Sequence, residues 1–395
     1  MDRFSLLTDS NSFSLAKIVH IDSIHIYMSP SMMITDDESR YQKGVKHLCE
    51  NGLQEVPNKY ILPSSERPNR NMEDFNVVKE NLQLPIIDFA DLIGPDRPRA
   101  LKSLANACET YGFFQLANHS IPGDVVRNMM DVGGRFFDLP FEERAKYMAT
   151  DMRAPVRYGT SFSQTKDSVF CWRDFLKLLC HPLPDFLPQW PVLPVDFRKV
   201  AATYAEETKS LFVTLMEAVL DSLGIMEDKQ KQTEETDMLK EFQDGSHLMV
   251  VNYYPACPEP ELTLGMHPHS DYGFLTLLLQ DEVEGLQIQF QGKWVTVDPI
   301  PNAFVVNVGD HLEIFSNGRY KSVLHRVLVN ATKSRISVAS LQSVGFNCRV
   351  RPSPKLIDEK NPKRYKDTDF GTFLDYITKH VPKSKDFLDS RKLTY

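Results

Sequence analysis

Two histidines and one aspartate stand at spacings that suit a metal ion. His269 and Asp271 are separated by one residue. Alternate side chains of a strand leave the same face, so both would point into one space. A third ligand from elsewhere would complete a 2-His-1-carboxylate set, which holds Fe(II) by three positions and leaves three open. His325, 54 residues after Asp271, is the candidate for that ligand.

A further histidine leaves an alternative open. His267 lies two residues before His269 and would share its strand face, so a cupin-like site with two histidines from one strand also fits the residues. The His-x-Asp pattern alone is a weak signal, because it arises by chance in many chains. The apolar run at residues 275–279 strengthens it, because such a run predicts a buried strand beside the site.

An arginine and a serine follow His325 at strand spacing. Arg335 and Ser337 would share one strand face. A guanidinium fork beside a hydroxyl suits a carboxylate, because it offers parallel charge-assisted hydrogen bonds. The sequence therefore predicts a site for an acidic co-substrate next to the metal.

Several ordered motifs resemble the plant 2-oxoglutarate- and Fe(II)-dependent dioxygenases. The run at residues 271–281 is most similar to the flavanone 3-hydroxylase branch, and the resemblance covers about residues 84–380. The motifs are Asn252-Tyr253-Tyr254-Pro255, His269-Ser270-Asp271, Asn307-Val308-Gly309-Asp310, Ser316-Asn317-Gly318-Arg319-Tyr320-Lys321-Ser322, His325-Arg326 and Arg335-Ile336-Ser337.

The resemblance implies which residues bind the metal. It gives iron ligation, and with it the catalytic role, to His269, Asp271 and His325. His267 falls outside its pattern.

The resemblance also implies a co-substrate site. Arg335 and Ser337 would bind the distal carboxylate of 2-oxoglutarate, and Asn252 and Tyr254 would assist that co-substrate. The expected cofactors are Fe(II), 2-oxoglutarate and O2, with ascorbate as a reductant.

One departure from the family bears on the organic substrate. In flavonoid-acting members an aromatic residue commonly lies six positions after the arginine, where it can stack on a substrate ring. Here that position is Leu341, which argues against flavanone itself. The aromatic- and proline-rich stretch 155–194 lines the substrate mouth in the family. The expected substrate contacts are therefore Leu341 and one residue of that stretch, Phe175.

The expected function is hydroxylation, desaturation or demethylation of a small aromatic or hormone-like plant metabolite, with succinate and CO2 as products. Flavonoid or other specialised metabolism is the expected setting. The alternative is a non-catalytic jelly-roll protein that binds ligands or partners.

Length and composition favour small-molecule chemistry. The chain has 395 residues, 42% of them hydrophobic, enough for a sizeable core. A net charge of −8 with scattered basic residues argues against a nucleic-acid footprint or a polybasic membrane patch. The six cysteines form no CxxC pair, which is typical of reduced thiols. We expect a cytoplasmic monomer with a small-molecule substrate and no nucleic-acid or membrane partner.

Regular elements must position these residues. The resemblance implies a double-stranded β-helix, or jelly roll, within a mixed α+β fold that has a β-dominated core and flanking helices. Helices are expected at 99–111, 123–137, 141–149, 197–223 and 370–380, and early strands at 84–89 and 113–116. Seven later strands at turn-separated spacing predict a sandwich or barrel: 248–254, 275–279, 286–290, 294–297, 304–308, 323–329 and 335–341.

Four segments follow from this pattern. Residues 1–40 are expected to form a poorly ordered tail, and 41–195 an N-terminal region of helices and strands packed on the core. Residues 196–350 would form the jelly-roll core with its long backing helix. Residues 351–395 would form a C-terminal helical segment that closes the substrate mouth.

Overall fold

The computed structural model describes residues 43–68, 83–161, 167–226, 232–379 and 385–394, so the expected tail at 1–40 lies outside the described residues. Its helices are α1 (Val45–Glu50), α2 (Phe89–Ile93), α3 (Arg97–Asn106), α4 (Gly123–Phe137), α5 (Phe141–Ala145), α6 (Leu183–Phe186), α7 (Phe197–Ser222), α8 (Gln232–Gln243), α9 (Asp310–Phe315), α10 (Phe370–Lys379) and α11 (Asp386–Arg391). Its strands are β1 (Ile86–Asp88), β2 (Phe113–Ala117), β3 (Val156–Thr160), β4 (Asp174–Leu179), β5 (His247–Tyr254), β6 (Met266–His269), β7 (Leu275–Gln280), β8 (Leu286–Phe290), β9 (Lys293–Thr296), β10 (Phe304–Val308), β11 (His325–Val327) and β12 (Arg335–Gln342).

The strands form two sheets. One has eight strands in the order β1-β2-β10-β7-β12-β5-β4-β3, and the other has four in the order β6-β11-β8-β9. Only the β1–β2 pair is parallel among the pairs of the described strands. Apolar side chains join the facing surfaces of the sheets, and these are Leu84, Phe113, Leu286, Ile288, Val297 and Val305. The expected jelly roll with flanking helices is confirmed.

The other face of the eight-stranded sheet packs on helices. A Cβ at Gly133 of α4 would lie 3.1 Å from the Val251 side chain of β5, so the glycine allows the helix to approach the sheet closely. Helix α7, with 26 residues, buries positions three and four apart, including Leu211 and Leu215. It ends before Gly224, whose φ is +73°. The expected long backing helix is confirmed.

The stretch 155–194 contains two strands that were not predicted from the sequence. It contains β3 and β4, which extend the main sheet beyond β5. Both faces of β4 are largely buried, so its sequence lacks the alternation that marks a half-exposed strand. Helix α8 was also not predicted from the sequence, because its polar residues show little apolar periodicity.

Helix α5 and the first strand both end earlier than expected. Helix α5 ends at Ala145 rather than at 149, because the chain turns there and the Tyr147 carbonyl accepts a hydrogen bond from the Tyr158 amide at 2.7 Å. The strand expected at 84–89 ends at Asp88, whose side chain accepts a hydrogen bond from the Ala90 amide and begins α2.

No helix within the described ranges is both long enough and apolar enough to cross a membrane.

Candidate active site

The three predicted ligand residues come together between the two sheets. His325 of β11 is the direct cross-strand neighbour of His269 of β6, and their ring centroids are 4.1 Å apart. Asp271 lies in the loop two residues beyond the end of β6, not on the strand as expected. Its Oδ1 atom is 3.8 Å from Nε2 of each histidine. The three ligand atoms all lie within 4.8 Å of one another.

The donor set fits a divalent metal ion. Nδ1 of His269 donates to the His267 carbonyl at 2.8 Å, and Nδ1 of His325 donates to the Val323 carbonyl at 3.3 Å. Each Nε2 therefore turns a lone pair toward Asp271. Bonds of about 2.1 Å to one ion would span atoms up to about 4.2 Å apart, and the 3.8 Å between Asp271 Oδ1 and Nε2 of each histidine lies within that span.

The charge states of the group also suit metal binding. Burial and the neighbouring His325 lower the pKa of His269 to about 3, so its imidazole is neutral at pH 7. Burial alone would raise the pKa of Asp271, but His325, His269 and two hydrogen-bond donors outweigh it and the pKa is lowered. Asp271 is therefore a carboxylate.

The second oxygen of Asp271 is fixed by neighbouring strands. Oδ2 accepts hydrogen bonds from Thr276 Oγ1 at 2.6 Å and from Asn307 Nδ2 at 2.9 Å. Oδ1 faces the two histidines and accepts no hydrogen bond from the described residues. These two donors orient the carboxylate before any metal arrives.

The loop that carries Asp271 is pinned to the start of α9. The Asp310 amide donates to the Asp271 carbonyl at 2.7 Å. A Cβ at Gly309 would lie 2.1 Å from the Gly273 carbonyl oxygen, so only glycine allows this approach. In the motif at residues 307–310, Asn307 therefore holds the side chain of Asp271, Gly309 allows the close contact with Gly273, and the Asp310 amide holds the backbone of Asp271.

Asp310 joins both ligand-bearing segments and had no predicted role. Its carboxyl group accepts hydrogen bonds from Ser270 at 3.2 Å and from Ser322 at 2.7 Å. Ser270 stands between His269 and Asp271, and Ser322 precedes His325 by three residues. Burial raises the pKa of Asp310 to about 7. In the sequence, the only indication that Asp310 joins these two segments was its place in the motif at residues 307–310.

The predicted arginine is buried and held in place. Arg335 is 2% exposed. It donates from Nη2 to Gln280 Oε1 at 2.7 Å, from Nε to the Val283 carbonyl at 3.1 Å and from Nη1 to Ser337 Oγ at 3.4 Å. These contacts orient the guanidinium fork.

One cavity of about 100 Å³ connects the metal group to this arginine. In the β5–β12 pairing, Tyr254 is opposite Arg335 and Asn252 is opposite Ser337. The Tyr254 ring centroid is 5.2 Å from the Arg335 guanidinium carbon. The cavity is lined by all seven predicted metal and co-substrate residues: Asn252, Tyr254, His269, Asp271, His325, Arg335 and Ser337.

Family models match most of the folded chain. A model of the 2OG-Fe(II) oxygenase superfamily matches residues 245–343, and a model of the N-terminal region of non-haem dioxygenases, named from morphine synthesis, matches 84–193. Protein DMR6-LIKE OXYGENASE 2 of Arabidopsis thaliana is 38% identical over 339 residues, which cover 85% of this chain and 94% of that protein. The chain belongs to the 2OG-Fe(II) oxygenase superfamily.

Other comparisons agree with this membership. Flavanone 3-dioxygenase 2 of Oryza sativa subsp. japonica is 39% identical over 332 residues, which cover 84% of this chain and 92% of that protein. The crystal structure of JOX2 in complex with 2OG, Fe and JA superposes with a TM-score of 0.77 at 32% identity, covering 89% of this chain and 98% of that one. This oxygenase is thus a 2-oxoglutarate-dependent dioxygenase with Fe(II), 2-oxoglutarate and O2 as cofactors, as the motifs predicted.

The residues predicted to contact substrate lie outside the lining of this oxygenase's small cavity. Leu341 is half-buried on the same face of β12 as Arg335, one step beyond Ala339, which does line the cavity. Phe175 of β4 is the cross-strand neighbour of Asn252 and is buried. Their role in substrate binding stays a prediction.

His267 is not part of the metal group formed by the described residues. Its ring interacts with the Cys171 thiol instead. The cupin-like alternative therefore finds no support in the geometry. The contribution of His267 is its carbonyl group, which orients His269.

Proposed function

We propose that His269, Asp271 and His325 bind Fe(II), and that Arg335 and Ser337 bind the distal carboxylate of 2-oxoglutarate. The observation that supports this most strongly is that both groups line one cavity, with an oriented guanidinium on one side and three convergent ligand atoms on the other. Asn252 and Tyr254 line the same cavity and would complete the co-substrate contacts.

The chain's own residues perform positioning and exclusion of water. Thr276 and Asn307 hold one oxygen of Asp271, so that the other is directed at the metal position. Apolar lining residues Phe113 and Leu278 keep the cavity low in polarity, which strengthens the interactions of Arg335 with an anion. The bound iron and 2-oxoglutarate supply the oxidising chemistry, in which O2 is consumed and succinate and CO2 are released.

We further propose that the organic substrate is a small aromatic or hormone-like metabolite, which is hydroxylated, desaturated or demethylated. The apolar side chain of Leu341 and the ring of Phe175 lie along the sheet face that continues from the cavity. The similarity to DMR6-like oxygenases and flavanone 3-dioxygenases supports a substrate of this size. A cytoplasmic monomer and ascorbate as a reductant remain part of the proposal.

A second buried arginine favours an acidic substrate. Arg173 lines the cavity, is 5% exposed and has no carboxylate within ion-pair distance among the described residues. In the loaded site the charges of Fe(II) and 2-oxoglutarate cancel, and Arg335 balances Asp271. The charge of Arg173 is left over, and a buried charge without a counter-charge is unfavourable. A carboxylate or phenolate on the substrate would balance it.

The test is substrate-stimulated release of succinate from labelled 2-oxoglutarate, measured with the full chain, Fe(II) and ascorbate over flavonoids, phenolic acids and plant hormones. We expect stimulation by an acid and at least tenfold less by its methyl ester. The His269→Ala variant is the matched control and should show none. Iron-dependent turnover in that variant, or no stimulation by any member of the panel, would contradict the assignment.

A further inference from the structure

A second and larger cavity lies behind the eight-stranded sheet. Its volume is about 420 Å³, against about 100 Å³ for the metal cavity. We call it the rear groove, defined by the lining residues Cys180, His181, Ala205, Lys209, Val213 and His247. Its volume falls within the range of about 300–1,000 Å³ that is usual for small-molecule sites.

Strand alternation separates the rear groove from the metal site. Asn252 and Tyr254 of β5 line the metal cavity, so His247, an odd number of residues from both, leaves the opposite face. Gln342, the cross-strand neighbour of His247, donates from Nε2 to the carbonyl of Thr208 in α7 at 2.9 Å. The rear groove thus lies between the sheet and α7.

The rear groove has a buried floor and an open rim. Cys180, Ala205 and His247 are 3%, 3% and 2% exposed. Glu206 and Ser210 stand exposed at the rim. A ligand can therefore enter from solvent and bury one end against the floor.

Two nitrogen groups of the rear groove retain hydrogen-bonding capacity. Nε2 of His247 is buried and has no hydrogen-bond partner within the described part of the chain. Nζ of Lys209 donates to the Gly245 carbonyl at 2.8 Å, and an ammonium group carries three donors. No carboxylate lies within ion-pair distance of Lys209 among the described residues, and burial lowers its pKa to about 7. A buried polar atom without a partner, such as Nε2 of His247, is unfavourable unless a ligand satisfies it.

The remaining charges define the class of ligand. Lys209 is the one cation among the lining residues, while Glu206 on the rim and the nearby Asp244 are negative. A doubly charged phosphate would meet more repulsion than attraction. No three possible metal ligands converge here, because the described residues form such a group only at the active site. One carboxylate on an apolar body matches one ammonium group above the side chains of Ala205 and Val213.

We propose that the rear groove binds a small monocarboxylate, with its carboxylate on Lys209 and the His247 imidazole and its apolar body along α7. This site is independent of the proposed catalytic function and would be occupied with or without metal. The groups that face Lys209 are Cys180, His181, Asp244 and His247. A bound carboxylate favours the charged form of Lys209, so binding weakens as the pH rises above neutrality.

The test uses 4-fluorobenzoate as the probe and the full chain with its lysines ¹³C-dimethylated. The Lys209 resonance is assigned by its absence in Lys209→Arg, and Lys199, exposed on the same helix, is the matched control. We expect the probe to move the Lys209 resonance in a saturable way and to raise its titration midpoint, with Lys199 unchanged. Binding elsewhere, including the metal cavity, would leave the Lys209 midpoint where it was and would overturn the proposal.

Two further measurements make the assignment specific. In ¹⁹F titrations of unmodified protein at pH 6.5, Lys209→Met should weaken the site at least tenfold, whereas Arg335→Met should not. The neutral 4-fluorobenzamide should bind at least tenfold more weakly than the acid. Equal affinity of amide and acid, or of Lys209→Met and wild type, refutes recognition of a carboxylate at Lys209. The Lys209→Met variant should keep its 2-oxoglutarate turnover, because Lys209 contacts none of the catalytic residues.

Discussion

Replacing Thr276 by valine should weaken metal binding without changing any ligand. Thr276 Oγ1 donates to Asp271 Oδ2 at 2.6 Å, and valine has nearly the same shape but no hydroxyl. Asn307 would remain as the only described donor on that oxygen. The carboxylate would then turn more freely, and its other oxygen would less often face the two histidines.

The size of the effect follows from the type of hydrogen bond. A bond to a charged group contributes about 1.5–3 kcal/mol. Loss of a hydrogen bond that orients a metal ligand typically weakens metal affinity by about 10- to 100-fold. Each tenfold change corresponds to about 1.4 kcal/mol, so the two ranges agree.

The assay is anaerobic equilibrium dialysis of Fe(II) against apo protein. Thr208→Val is the matched control, because Thr208 is buried in α7 and its hydroxyl donates to the Tyr204 carbonyl at 2.8 Å, far from the metal group. We expect the control to lose some stability and no iron affinity. An Fe(II) dissociation constant for Thr276→Val within twofold of the control would refute the view that this hydrogen bond orients Asp271.

Three other outcomes are expected. Arg335→Lys should raise the KM for 2-oxoglutarate about 10- to 100-fold and change the KM for the organic substrate much less. Lysine keeps the charge but loses the two-point hydrogen bonding of the guanidinium group, which is worth about 1.5–3 kcal/mol. An unchanged KM for 2-oxoglutarate would show that Arg335 does not bind this co-substrate. Leu341→Phe should shift the substrate preference toward flavanones by up to about tenfold, because the new ring can stack on a substrate ring with a contact worth roughly 0.5–1.5 kcal/mol. A lower melting temperature with an unchanged ratio of turnover on flavanones to turnover on other substrates would show that Leu341 only packs in the core. Lys209→Met should raise the free energy of unfolding below pH 7, by an upper limit of about 5 kcal/mol. Burial lowers the folded-state pKa of Lys209 to about 7, whereas the unfolded chain binds the proton up to about pH 10.5. That gain should vanish as the pH rises to 10.5 in urea unfolding curves, and a gain that does not depend on pH would contradict the burial of a titrating amine.

The sequence was sufficient to single out the three residues that converge as a possible metal group, and to predict most of the jelly roll. His269, Asp271 and His325 follow from residue type and the family motifs, and six of the seven later strands match to within one residue at each end. These strands carry a strong apolar pattern because each buries one face or both. The residues they present to the cavity follow from alternation alone.

The parts that escaped prediction depend on tertiary contacts. β4 has no alternation because both faces are covered, and its Asp174 is buried where it accepts hydrogen bonds from the Val45 and Lys46 amides at the start of α1. Asp310 acts through two serines that are far from it in sequence. Neither set of hydrogen-bond partners can be recognised from the residues that neighbour Asp174 or Asp310 in the sequence.

The short strand β11 also has a consequence for assembly. It has only three residues, and it places His325 between His269 of β6 and Ile288 of β8. A slip of one residue in either pairing would turn His325 away and present Arg326 to the ligand position, where its positive charge would repel a cation. Metal would therefore be captured only by chains whose strands are in the native register, and its binding energy would draw slipped chains toward that register during folding.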